Sequence, residues 1–149
     1  MQNINKRDAE GNTLLMNAAR NGQVEKVHNL LMSGAKVNKV NLDEETALHE
    51  AVRSGNIEIV VLLLKYGARV NVQNVFDDSP LDLAVEDNHI EIVLILIRAG
   101  ANRDNSLIIA VEKNNYIITK ILLEYGSNAK NALEFAASEK IKLLLESYI

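Results

Sequence analysis

Apolar residues recur along this chain in short blocks, and the blocks return at a fixed distance. The first block of the best-formed unit, Ala47 to Arg53, places Leu48, Ala51 and Val52 at the i, i+3, i+4 spacing of one buried helical face. Thr46 precedes it as an N-cap whose hydroxyl can accept from an orphan N–H of the first turn, so a helix is predicted over about 47–54. Gly55 follows where a left-handed C-cap is wanted. The second block, Ile57 to Tyr66, holds Ile59, Val60, Leu62, Leu63 and Leu64 and is too apolar for a free surface helix; it has to lie between neighbours. Gly67 closes it, and Ala68-Arg69-Val70-Asn71 is a short extended segment entering a polar turn. The unit reads helix, turn, helix, projecting hairpin.

Thr13, Thr46 and Ser79 stand in steps of 33, and so do Leu15, Leu48 and Leu81, then Ala18, Ala51 and Ala84, and then Gly34, Gly67 and Gly100. Self-similarity at such a period predicts stacked supersecondary units, each too small to bury its apolar face alone. After Gly100 the step shortens: Leu81 to Leu107 and Gly100 to Gly126 are steps of 26. The helices survive and the hairpin is missing, with Leu107, Ala110, Val111, Ile118, Ile121, Leu122 and Leu123 expected on buried faces.

On these residues the chain is similar to the ankyrin repeat family. The family's threonine-proline-leucine-histidine signature stands here as Thr46-Ala47-Leu48-His49, its following alanine as Ala51, its mid-repeat turn as Ser54-Gly55-Asn56 and its close as Gly67-Ala68-Arg69-Val70-Asn71. The likeness runs from about Asp8 to the C-terminus. It implies an all-α repeat, an ankyrin-type solenoid of helix-turn-helix units with projecting β-hairpin loops, in a single domain. Repeats are read at about 8–40, 41–73, 74–103 and 104–129, with a C-terminal cap at about 130–149. In the cap, Ala132 to Ala137 corresponds to a first helix and Ile141 to Leu145 to a clipped second one. Lys140, Lys142 and Glu146 supply the polar outer face that a terminal unit needs, so the domain reads as complete. Repeats one and three carry Thr13-Leu14-Leu15-Met16 and Ser79-Pro80-Leu81-Asp82 at the signature, so only repeat two keeps the histidine. In the family that ring bridges neighbouring repeats by hydrogen bonds, and His49 is read as structural.

Composition narrows the functions. The 149 residues are 48% hydrophobic but only 4% aromatic, without tryptophan, so the core is Leu, Ile, Val and Ala packed between helices. A chain without cysteine has no disulfide, thiolate metal site or cysteine nucleophile, and suits a reducing cytoplasm. A net charge of −4 lacks the basic footprint of a nucleic-acid binder. The N-terminus has no apolar stretch behind Lys6-Arg7, and the run Ile59 to Leu64 is too short to span a bilayer, so a cytoplasmic protein away from membranes is expected. His28, His49 and His89 make no ligand-spaced cluster, no Gly-rich phosphate loop exists, and the acidic pairs Glu44-Glu45, Asp77-Asp78 and Glu86-Asp87 fall on turn tips and helix ends in water. Neither an enzyme nor a cofactor or metal is expected.

The resemblance implies that a partner protein docks on the concave surface of hairpin tips and first helices. Carried over by position, the partner-binding candidates are Leu42, Asp43, Glu45 and Arg53 in repeat two, and Val75, Phe76, Asp78, Glu86 and Asp87 in repeat three. Asn12 and Arg20 hold the same positions in repeat one, and repeat four offers only Glu112 and Lys113. Leu42, Val75 and Phe76 stand out because a turn tip has no structural use for large apolar side chains; the alternative is that Val75 and Phe76 pack against the neighbouring hairpin. An apolar centre ringed by carboxylates favours a basic partner surface. The expected function is a non-catalytic adaptor, scaffold or inhibitor, and a monomer is expected. A self-associating module, or a host-directed effector of an intracellular microbe or virus, also fits the architecture.

Overall fold

The computed structural model describes residues 3–149. Its elements run α1 (Leu14–Arg20), α2 (Val24–Met32), α3 (Ala47–Arg53), α4 (Ile57–Lys65), α5 (Pro80–Glu86), α6 (Ile90–Arg98), α7 (Asp104–Glu112), α8 (Tyr116–Glu124), α9 (Ala129–Ala132), a 3₁₀ turn (Leu133–Phe135) and α10 (Glu139–Glu146). Each odd helix from α1 to α7 packs on the even helix after it. The odd helices stack into one row and α2, α4, α6 and α8 into a second, with α10 against α8.

The core lies between the two rows. Leu15, Leu48, Leu81 and Leu107 fill its inner layer, and Ile59, Leu63, Ile92, Leu96, Ile118 and Leu122 its outer layer, all fully buried. Ala18, Ala51, Ala84 and Ala110 are completely buried on the odd helices, where a small side chain lets backbones approach closely. All the apolar positions expected in the fourth unit are buried except Ile121, which is half-buried.

Local chemistry starts and stops these helices. The Thr13 and Ser79 hydroxyls accept from the N–H groups of Met16 and Asp82 at 3.3 Å each. Pro80 sits at the first helical position of α5, where a missing N–H costs nothing. Asn56 and Asn115 cap α4 and α8 through their side-chain oxygens. Gly55 ends α3 at φ 66°, a left-handed conformation that costs glycine nothing, and a Cβ there would stand 2.9 Å from Cε1 of His89 and displace that ring.

Among the described residues the expected hairpins contain no β-strand. They are tight turns with one isolated antiparallel bridge, Arg7 to Thr13. The C-terminal unit also differs from the reading. Asn128 caps a helix at Ala129, its Oδ1 accepting from Lys130 N–H at 3.1 Å, so the helix begins three residues before Ala132 and gives way to the 3₁₀ turn where it was expected to run.

Candidate functional site

The hairpin tips are built by one device repeated every 33 residues. The side-chain oxygen of Asn41 accepts from Asp43 N–H at 3.0 Å and Glu45 N–H at 2.9 Å; Asn74 does the same for Phe76 at 2.9 Å and Asp78 at 3.0 Å. Asp8 plays this part in the first hairpin, toward Glu10 at 3.0 Å and Asn12 at 2.9 Å. Such Asx turns let a side chain stand in for a backbone acceptor. Because residues 41 and 74 are asparagine rather than aspartate, each also has N–H donors, and these reach back one hairpin. Asn41 Nδ2 donates to Asn12 Oδ1 at 2.9 Å, and Asn74 Nδ2 donates to Glu45 Oε1 at 3.0 Å. The backbone repeats the pattern: Leu42 N–H donates to Glu10 O at 3.1 Å, and Val75 N–H donates to Asp43 O at 3.0 Å. The tips are thereby locked to one another.

Large side chains are left over at the top of this scaffold. Leu42 is 70% exposed and Phe76 is 73% exposed, with Val75 at 50%, so neither Val75 nor Phe76 is hidden against its neighbour. Phe76 overhangs an open depression of about 480 Å³ whose walls include Arg20, Asp43, Glu50, Arg53 and Ser54. Its floor is ionic. Arg20 reaches Glu50 through two bonds, Nε to Oε2 at 3.0 Å and Nη2 to Oε1 at 2.6 Å. Arg53 grips Glu45 with both terminal nitrogens, Nη1 to Oε2 at 2.7 Å. Glu50 and Glu45 are buried while the arginines are half-exposed, so each guanidinium shields a carboxylate and still shows one face to solvent. The bond to Glu50 raises the Arg20 pKa, and the bond to Glu45 raises that of Arg53. Burial pushes the Glu45 carboxyl up, but the hydrogen bonds from Arg53 and Asn74 outweigh it and hold the group below its ordinary value.

Two expected contact residues are buried in this geometry. Glu45 is 5% exposed and Asn12 is 2% exposed, because both sit at the turn position whose side chain receives the next hairpin's asparagine. Both hold the tips, and Glu45 also lines the floor of the depression through its pair with Arg53. Asp43, Arg53, Glu86 and Asp87 are exposed, Asp43 and Arg53 of them lining the depression, and Asp78 is half-buried. Sequence reasoning missed Glu50, which lies on the core side of α3 and becomes an anchor only through Arg20 from the previous unit. It also missed the asparagine column, whose signal was present in the 33-residue spacing of Asn41 and Asn74 and in a second set, Asn5, Asn38 and Asn71. In that set the side-chain oxygens accept from Lys36, Arg69 and Asn102 N–H, each at 2.8 Å.

His49 belongs to this scaffold too. Thr46 N–H donates to its Nδ1 at 3.0 Å, which leaves the proton on Nε2, 3.4 Å from the carbonyl of Asp78 on the next hairpin. Burial lowers its pKa. In the third unit Asp82 replaces the imidazole. It accepts from Ser79 N–H at 2.9 Å, Ser79 Oγ at 2.7 Å and, across the junction, Ser106 Oγ at 2.5 Å.

The free carboxylates Asp43, Glu44, Asp77, Asp78, Glu86 and Asp87 make no ion pair among the described residues. Asp78 bears the consequence: burial, then the charges of Glu86 and Asp82, raise its pKa. Among the described residues no group of three His, Asp or Glu is placed to hold a metal ion, and no helix is long and apolar enough to cross a membrane.

Paired helices stacked in two rows with turns projecting from one edge define a helical repeat solenoid. Two family models match, one described as ankyrin repeats (3 copies) over residues 1–74 and one described as ankyrin repeats (many copies) over residues 54–97. The chain belongs to the ankyrin repeat family. Members of that family are generally protein–protein interaction modules and typically non-catalytic. No curated protein matches the chain.

Proposed function

We propose that this chain is a non-catalytic adaptor, scaffold or inhibitor that binds a partner protein on the face formed by its hairpin tips and odd helices, and that the partner surface is basic around an apolar plug. The observation that carries the reading is the pair of large apolar side chains, Leu42 and Phe76, held exposed on adjacent rigid tips beside the depression over Arg20 and Arg53. Exposed apolar anchors on a preorganised support have the composition of a binding hot spot. Six uncompensated carboxylates around them favour Lys or Arg on the partner, which speeds association and makes it sensitive to salt.

The experiment is capture of binding proteins by the wild-type chain and by a Leu42→Ala, Phe76→Ala double variant whose fold is checked by circular dichroism, repeated over a salt series. The expected result is one specific protein retained by the wild type, released as salt rises, and weakened at least about tenfold by the double variant. An identical set from both proteins, or retention indifferent to salt, refutes the site or its charge preference respectively.

A further inference from the structure

The tip-to-tip ladder has an open end. Its backbone rung advances by 33 at each step, from Leu42 N–H on Glu10 O to Val75 N–H on Asp43 O, so the next acceptor in register is the carbonyl of Phe76. Its side-chain rung advances likewise, from Asn41 on Asn12 to Asn74 on Glu45, so the next acceptor is the carboxylate of Asp78. The donors that would meet them fall at positions 107 and 108. Those are Leu107 and Ile108, and both lie inside α7. Periods of 33 and 26 differ by seven residues, which is the missing turn. The outer asparagine ladder locates the break, because Asn71 still receives Asn102 N–H in register and α7 begins two residues later.

Neither acceptor is filled by another group. The Phe76 carbonyl and the Asp78 carboxylate have no hydrogen-bond partner among the described residues. Where the seven residues are missing, before α7, a cleft of about 180 Å³ lies between Gln73 and Ser79, next in sequence to Asp78, and Asp104 and Asn105. Burial, and then the charges of Glu86 and Asp82, raise the Asp78 pKa. An edge of this kind is a template for added backbone pairing. It has room for a turn and not for another helical repeat, since α7 to α10 already occupy the rows beneath it.

We propose that this open end of the hairpin ladder, resting on the reading of the chain as a protein-binding repeat, docks a basic turn of the partner protein. A backbone N–H of that turn donates to the Phe76 carbonyl, and an amide, guanidinium or ammonium donates to the Asp78 carboxylate. The partner completes the ladder that the chain leaves one turn short, while Leu42 and Phe76 hold its apolar plug on the adjoining face.

The probe is a cyclic peptide reproducing the second turn, Asn41 to Glu45, with Asp43→Lys, Glu44→Gly and Glu45→Lys so that it suits the acidic edge. It is titrated into the isotope-labelled full chain, and backbone amide and carbonyl chemical shifts are followed by NMR. The expected result is saturable shifts at Phe76, Asp77, Asp78 and Asn102 to Asn105. Asp78→Ala weakens binding at least about tenfold, and Val61→Ala, on the exposed side of α4, leaves it unchanged. A variant with a copy of Asn71 to Asp77 inserted between Arg103 and Asp104 fills the edge itself and no longer binds; Asp78→Ala stands alone if that insertion does not fold. Absence of saturable shifts at Phe76 and Asp78, or undiminished binding by Asp78→Ala or by the folded insertion variant, overturns the proposal. Equal loss on Val61→Ala overturns it too, because the effect is then not specific to the edge. Since the capture experiment reads Leu42 and Phe76 and this one reads Asp78 and the gap, failure of either is told apart from failure of the other.

Discussion

Asp82 is the most economical place to measure what joins one unit to the next. It is 3% exposed, and its carboxylate accepts from Ser79 N–H, Ser79 Oγ and Ser106 Oγ, the last at 2.5 Å across the junction. Asp82→Ala removes the reciprocal cap of α5, a loss of about 1 kcal/mol. It also strips the fully buried Ser106 hydroxyl of its partner, which costs about 1–2 kcal/mol more, for a total of about 2–3 kcal/mol. Ser106→Ala leaves Asp82 both Ser79 donors and costs about 1 kcal/mol. In the double variant no orphan hydroxyl remains, so its cost stays close to that of Asp82→Ala alone, and the cycle returns a coupling of about 1 kcal/mol. The four proteins are compared by urea unfolding followed by far-ultraviolet circular dichroism, with a common m-value as the condition for comparison. Additivity of the two single variants within about 0.5 kcal/mol refutes the reasoning, because the junction is then held by apolar packing without help from this bond.

Other expectations follow from the same architecture. Leu63→Ala opens a cavity at a fully buried site in α4 and costs about 2–5 kcal/mol, whereas Val61→Ala on the exposed side of the same helix changes stability by under about 0.5 kcal/mol; equal effects in urea melts refute the helix's orientation. Glu44 sits in the left-handed region at φ 61°, where Gly11 stands in the first turn, so Glu44→Gly stabilises by about 0.5–1 kcal/mol, read as a rise in the thermal midpoint. His49 has a pKa lowered by burial, so the unfolded chain binds its proton first as the pH falls. Its contribution to stability is complete above the unfolded value of about 6.5 and declines as the pH drops below that toward the folded value. His49→Gln removes this slope from urea melts taken between neutral and mildly acid pH, and an unchanged slope shows that another group carries it.

The stack of helix pairs was legible because the residues that make it recur in phase: Leu48, Ala51 and Gly55 return at the same step, and periodicity needs no knowledge of contacts. The shortened step after Gly100 was legible for the same reason. The candidate site was readable only in part. A turn position shows in the sequence, but whether its side chain points out or is taken by the next turn depends on what stands 29 residues later. That is how Asn12 and Glu45 came to be buried by Asn41 and Asn74. Glu50 looked like an ordinary helical carboxylate because its partner Arg20 is 30 residues away. The early start of α9 was hidden by competition between caps, since Asn128 was not weighed against the alanine pattern that follows it.

The point where the ladder stops also sets how the molecule opens. In a one-dimensional stack, stability is a sum of unit terms and neighbour terms, and opening begins where a neighbour term is smallest. The last tip-to-tip bond among the described residues is Val75 N–H to Asp43 O; beyond it the units are joined by helix packing, the Asp82–Ser106 bond, asparagine contacts and Lys140 over the Tyr116 ring. Amide hydrogen exchange should divide the chain there, with residues 104–149 opening as a cooperative block at lower free energy than the three linked units before it. The same deletion that frees an edge for a visitor therefore builds a seam along which the C-terminal part can breathe while the face carrying Leu42 and Phe76 stays shut.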